Sequence, residues 1–200
     1  MRGTAARTAT VGLPITALLL AGCASHGETP VSRAPTRPAV SATTPSTNAV
    51  AVAAPSPVQQ TPSAAAQMIC QSEVRGEVAT ALGLHIPPPA VSAWANETFS
   101  CTYHLPGGRL ILSVHQSTDD PSATRYYQAQ QQHLGVARQL PGLGRGAFTT
   151  PAGSVLVVKD NLTLNVGTTA VPATLAATPA DRSDRAGQIA AAVMSCWMGG

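Results

Sequence analysis

The chain has 200 residues, a formal charge of +3 and only 4% aromatic side chains, which bounds it to one modest domain plus accessory segments. The positive excess sits near the start, at Arg2, Arg7, Arg33 and Arg37 against Glu28. Beyond Gln67 basic and acidic residues cancel, and without a basic stripe nucleic acid is excluded as a partner, because its binding needs clustered phosphate contacts.

Residues 1–22 read as a secretory signal, with Arg2 and Arg7 ahead of an apolar run from Val11 to Ala21. That run is about a dozen residues, short of the roughly 20 that cross a bilayer. At its end, Leu20-Ala21-Gly22-Cys23 resembles the bacterial lipobox. The resemblance implies a diacylglyceryl group on the Cys23 sulfur and cleavage that makes Cys23 the mature N-terminus. One acyl chain is a marginal anchor at about 0.8 kcal/mol per buried CH₂; two or three on one cysteine make release negligible. The expected location is the extracytoplasmic face of the cell membrane, held by lipid.

From Ala24 to Ala66 the chain is rich in Ala, Thr, Ser, Pro and Val and has no aromatic residue. Such a segment buries too little apolar surface to offset its ordering entropy. Residues 23–66 are therefore expected to be the lipidated cysteine and a disordered tether, and residues 67–200 a single folded domain.

The domain opens with an amphipathic helix, with Ser72 as its N-cap and Gly83 as its stop, placing Cys70, Val74, Val78, Ala81 and Leu82 on one face. Pro87-Pro88-Pro89 then forces an extended connection. A hairpin follows. With Gly107-Gly108 at its turn, Leu105 pairs with Leu110, Tyr103 with Leu112 and Cys101 with Val114, so one face is apolar. The other face carries Thr102, His104, Ile111, Ser113 and His115. Asp119 or Asp120 caps a second helix that starts at Pro121 and stops at Gly135. Ala147–Thr150 reads as a short strand. Ser154–Lys159 and Leu162–Gly167 form a second hairpin with Val155 opposite Val166 and Val157 opposite Leu164. A last helix runs from Asp181 to Met198. The order α-β-β-α-β-β-β-α, joined by hairpins, predicts an α+β fold: an antiparallel sheet of about five strands with helices packed on one face.

With Cys23 assigned to lipid, Cys70, Cys101 and Cys196 remain, and an exported domain favours one disulfide among them. Cys70 entering a Glu-Val helix that ends in Leu-Gly, Cys101-x-Tyr103 opening a strand, and the loop from Gly142 to Ala147 resemble a family of actinobacterial envelope lipoproteins. The resemblance spans roughly Gln67 to Gly200 and implies location and fold, with no activity to carry over. This chain departs from it in having Tyr103 where an aromatic, often Trp, is usual, and in the added Cys196. The family tends to carry cysteines at the first two positions. Together with Cys101 on the core side of its strand and Cys70 at the start of the covering helix, this favours Cys70–Cys101, with Cys196 as the rival partner.

Candidate sites weigh little. Gly142-x-Gly144-x-Gly146 follows a helix and precedes a strand, the reverse of a phosphate-binding loop, and reads as a tight turn. His104 and His115 share a face, but in the expected register they lie about 13 Å apart, too far to hold one metal ion, and read as solvated. Ser113, His115, Asp119 and Asp120 invite a hydrolase reading. Strand neighbours two residues apart sit about 7 Å from each other, beyond nucleophile–base contact. Of the aromatics, Trp94, Phe99, Tyr103, Tyr126, Tyr127, Phe148 and Trp197, most are needed for the core, though some could frame an apolar pocket. The sequence thus points to no catalytic residues, no metal and no cofactor. It favours a non-catalytic binding module of the cell envelope whose partners are the membrane, through Cys23, and an envelope protein or lipid. A carrier or sensor of an apolar envelope lipid is the alternative, and a small hydrolase ranks third.

Overall fold

A computed structural model describes residues 61–198. Cys23, the lipobox and most of the expected tether lie outside the described residues. The element order is α1 (Ala64–Gln67), a 3-10 turn (Met68–Cys70), α2 (Ser72–Leu82), β1 (Ala90–Ala95), β2 (Thr98–Leu105), β3 (Gly108–Gln116) and α3 (Asp120–Leu134). Then follow β4 (Arg138–Gln139), β5 (Gly146–Thr149), β6 (Val155–Lys159), β7 (Leu162–Gly167) and α4 (Pro179–Met198). The strands form one antiparallel sheet of seven, in the order β1-β2-β3-β7-β6-β5-β4. The α+β class matches expectation; the strand count does not.

The two extra strands are edges with weak signatures. β1, Ala-Val-Ser-Ala-Trp-Ala, is exposed along most of its length, and β4 is only two residues. Neither shows the half-buried alternation by which strands are recognised. A turn with both central residues at positive φ, Asn96 (49°) and Glu97 (58°), joins β1 to β2. That primed geometry matches the right-handed twist of the strands it connects.

The first expected hairpin exists in a different register. Tyr103 faces Leu110, Cys101 faces Leu112 and Phe99 faces Val114, with Leu105 opposite Gly108. The turn is Pro106-Gly107, where Gly107 has φ 82°. Gly108 is already in the strand, and a Cβ there would lie 2.4 Å from the Ala170 carbonyl oxygen. The slip is of two residues, so each side chain keeps its face. The second hairpin has the expected pairs, Val155 with Val166 and Val157 with Leu164.

Helices cover both faces of the sheet, not one. α2 and α4 lie on the main core, where Val74, Val78, Ile189 and Val193 pack with Tyr103, Leu112, Val157 and Leu164, all fully buried. Each such aliphatic side chain contributes about 1.5–3 kcal/mol on burial. α3 packs on the opposite face, where Ala123 and Tyr127 meet Phe148, Leu156 and Val158. Neighbouring strand residues point to opposite faces, so the continuous apolar run Val155–Val158 already marks a strand buried on both sides.

Helix ends follow local chemistry. Asp119 caps α3, its carboxylate accepting from the Ser122 N–H at 2.7 Å, with Pro121 in the first turn and Gly135 closing the end. α2 is capped at Gln71, with Ser72 its first residue and the left-handed Gly83 its stop. The fold also begins before Gln67. Ala66 of α1 is fully buried, Ser63 N–H donates to Gln116 Oε1 at 2.9 Å, and the Trp197 indole donates to the Ala65 carbonyl at 3.0 Å.

Candidate functional site

The disulfide joins Cys70 to Cys101, with Cα atoms 5.5 Å apart. Cys196, the rival partner, is buried on α4 outside the bridge. One strand position beyond Cys101 on the same face, Tyr103 is fully buried and its hydroxyl donates to the Ile69 carbonyl. Burial pushes that phenol well above its ordinary pKa, against the opposing pull of Arg75. The 3-10 turn is thus fastened to β2 by a covalent bond and a buried hydrogen bond, two residues apart on the strand.

The polar candidates are separated and engaged in structural contacts. His115 lies opposite Thr98, six strand positions from His104, or about 20 Å at strand spacing. His115 is not the solvated side chain expected. Its ring stacks on Tyr126 of α3 at 3.8 Å and 15°, with Nδ1 3.2 Å from Thr98 Oγ1. Asp119 is the α3 cap, and hydrogen bonds from Ser122 hold its carboxyl below the usual range. Asp120 pairs with Arg145 at 3.0 Å. Ser113 faces Ser100 on one neighbouring strand and Asn165 on the other. No cluster of three His, Cys, Asp or Glu able to hold a metal occurs among the described residues.

Burial lowers the His115 pKa, with Glu97 pulling weakly upward. The unfolded ring protonates near its ordinary 6.5, so at acid pH the unfolded state binds more protons. The stability contributed by the neutral stacked ring is therefore complete above that pH and is lost as pH falls through the lower folded value. Thermal melts are expected to drop between pH 7.5 and 5.5, and less so in His115→Gln. Identical pH profiles for the two proteins would refute this role for the ring.

The glycine loop is structural. Gly144 has φ 60°, and its Cα passes so close to β6 that a Cβ would lie 2.6 Å from the Val158 carbonyl oxygen. A Cβ on Gly146 would meet the Tyr127 ring at 3.4 Å. The aromatics serve packing: Tyr103 and Phe148 are fully buried, Phe99 and Tyr127 nearly so, and Trp94 and Trp197 lie half-buried against the main core.

Among the surface hollows of the described residues are two with mainly apolar linings, neither legible as a site in the sequence. One, of about 340 Å³, lies where the end of α3 meets the sheet and is lined by Arg109, Ile111, Leu134, Ser154 and Asn165 among others. The other, of about 500 Å³, opens between the proline strap and the end of β2, lined by Ile86, Pro87, Pro88, Pro89, His104 and Pro106 among others. Ile86 is 77% exposed there, and Val91 on the adjoining edge strand 61% exposed. The available signal was an apolar residue directly before three prolines, which periodicity cannot register.

No family model, curated protein or solved structure matches the chain.

Proposed function

We propose that the protein is a membrane-anchored envelope lipoprotein whose folded domain is a non-catalytic binding or interaction module. The observation that carries this reading is Leu20-Ala21-Gly22-Cys23 placed directly after a short apolar run. Its resemblance to actinobacterial envelope lipoproteins agrees, and the Cys70–Cys101 bond suits an oxidising compartment outside the cytoplasm. The interaction role is supported by how side chains are used. Asp119, Asp120 and His115 are occupied in a cap, an ion pair and a ring stack. The large apolar side chains left most exposed among the described residues are Ile86, Met198 and Val91.

A carrier of an apolar envelope lipid is the second reading, favoured by the apolar lining of the hollow at the prolines. That hollow is open to solvent, and the space between α2, α4 and the sheet is filled by side chains such as Ile189, Leu112 and Tyr103. A fluorescent fatty acid whose emission is quenched on binding the protein, and restored by Ile86→Asp, would shift the preference to the carrier.

Cys23→Ala is expected to abolish lipidation and move the protein from the detergent phase to the aqueous phase in detergent partitioning of whole cells. Unchanged retention of the variant in the membrane fraction would overturn the anchor.

A further inference from the structure

The sheet face under α3 is only partly covered. α3 lies over Phe148, Leu156 and Val158, and its Tyr126 stacks on His115. Where the helix runs out at Leu134, the floor includes Ile111 of β3 and Gly167 of β7, which stand opposite each other. Asn165, two residues back on β7, shares the face of Gly167. Gly167 brings no side chain to that floor, and the hollow of about 340 Å³ lies over it.

The polar groups around this hollow have protons left to donate. Thr150 and Ser154, 5% and 7% exposed, line it from the bend between β5 and β6. Thr150 Oγ1 accepts from the Ser154 N–H at 3.1 Å, and Ser154 Oγ accepts from the Thr168 N–H at 3.2 Å. Backbone amides thus hold both oxygens, while neither hydroxyl proton has an acceptor among the described residues. Asn165 lines the hollow too. Its Oδ1 is buried without a partner, which leaves the Nδ2 protons as the end a ligand can reach. Arg109, at the rim, is exposed and enters neither ion pair of the described residues.

Among the described residues no Asp or Glu lines this hollow. The hollows along α4 differ: one holds Asp181 and Asp184 beside Arg185, another Asp184 beside Arg138, so each carries acid and base together. Here a cation and a set of donors face an apolar wall with no counter-charge.

We propose that this hollow binds a small monocarboxylate with an apolar body. The planar guanidinium of Arg109 matches the two oxygens of a carboxylate. Thr150, Ser154 and Asn165 supply further donors to the same space, and Ile111 and Leu134 receive the apolar body. The volume stands at the lower end for small-molecule sites, which suits an aryl or branched short-chain acid. One guanidinium without a second cation matches a single charge better than a phosphate dianion. The lack of a lining carboxylate excludes amines and zwitterionic amino acids, whose ammonium would find no counter-charge. α3 presents its C-terminal, negative end at the rim, but with about half a charge against the full charge of Arg109. The inference rests on the reading of the domain as a binding module and names a ligand for it.

The test titrates hydrocinnamate and isovalerate into the full-length, isotope-labelled protein in detergent. NMR follows the Gly167 backbone amide and the Asn165 side-chain amide. Saturable shifts at both are expected, with hydrocinnamamide and phenylpropylamine binding at least tenfold more weakly than hydrocinnamate. Arg109→Gln is expected to weaken hydrocinnamate at least tenfold and to leave the amide unaffected, and Leu134→Ser to weaken hydrocinnamate severalfold. Both side chains reach the surface, and an unchanged melting temperature confirms that each variant is folded. Equal affinity for acid and amide, parental binding by Arg109→Gln, or displacement of the acid by an equal concentration of inorganic phosphate would overturn the proposal. So would shifts confined to Ile86 and His104 at the proline strap, or no saturable shift with either acid. A negative titration strikes this site alone, because the anchor is judged separately by Cys23→Ala partitioning.

Discussion

Replacing Cys70 and Cys101 together by alanine is expected to lower stability by about 3–4 kcal/mol, the chain-entropy value for a closed loop of this length. The bond spans a sequence separation of 31 residues. For a domain of this size the loss corresponds to a fall in melting temperature of roughly 10–15 °C. Alanine is preferred to serine because Cys101 is fully buried and a hydroxyl there would need a partner. Chemical denaturation of parent and variant, without reductant, reads the difference. A shift below about 2 °C would show that the bridge contributes little; a native crosslinked peptide containing Cys196 would show a different pairing.

Gly144→Ala is the second large effect. The position combines a left-handed backbone with two contacts too close for any side chain: 2.6 Å to the Val158 carbonyl oxygen and 2.7 Å to Val157 Cγ1. Val157 belongs to the fully buried core and cannot yield without disturbing it. Strain of this kind and overpacking each cost about 1–3 kcal/mol, so the sum is expected at about 2–6 kcal/mol. Gly142→Ala is the control. It shares a positive φ, 82°, but has nothing within 4 Å, and should cost only about 1 kcal/mol. Similar losses at the two positions in urea titrations would contradict the close approach to β6.

The same pair of glycines shows what sequence reasoning reaches. Their order after a helix and before a strand is enough to set aside phosphate binding. Which of them carries the constraint depends on β6 passing alongside, a contact distant in sequence. The α+β class, the capped α3 and the pairs of the β6–β7 hairpin were legible because local chemistry and apolar spacing agreed there. The register of β2–β3 was not, since Gly107-Gly108 offers two glycines and the structure uses only the first as a turn residue. The side of the sheet taken by α3 was legible in principle from Val155–Val158, but one-sided alternation in β2 and β3 argued for a single covered face. β1 escaped notice because an edge strand of alanine and serine has no pattern to detect. For the candidate site, His104 and His115 were correctly held apart, whereas the stacking of His115 on Tyr126 joins two elements whose packing no local pattern specifies.

The fastening of the N-terminal turn to β2 also decides where tension enters the molecule. A pull applied at residue 61 first opposes the Ser63–Gln116, Trp197–Ala65 and Tyr103–Ile69 hydrogen bonds. Once these yield, about 30 Å of slack can be drawn out at extended-chain spacing before Cys70 is reached. From there the force passes through the sulfur atoms straight into Cys101, in a strand flanked on both sides by its neighbours. Everything between the two cysteines, including α2, the proline strap and β1, lies in a covalently closed loop off the path of the force. The exposed edge is thereby mechanically insulated from the chain that leads away from the domain, and keeps its shape while that chain is stretched.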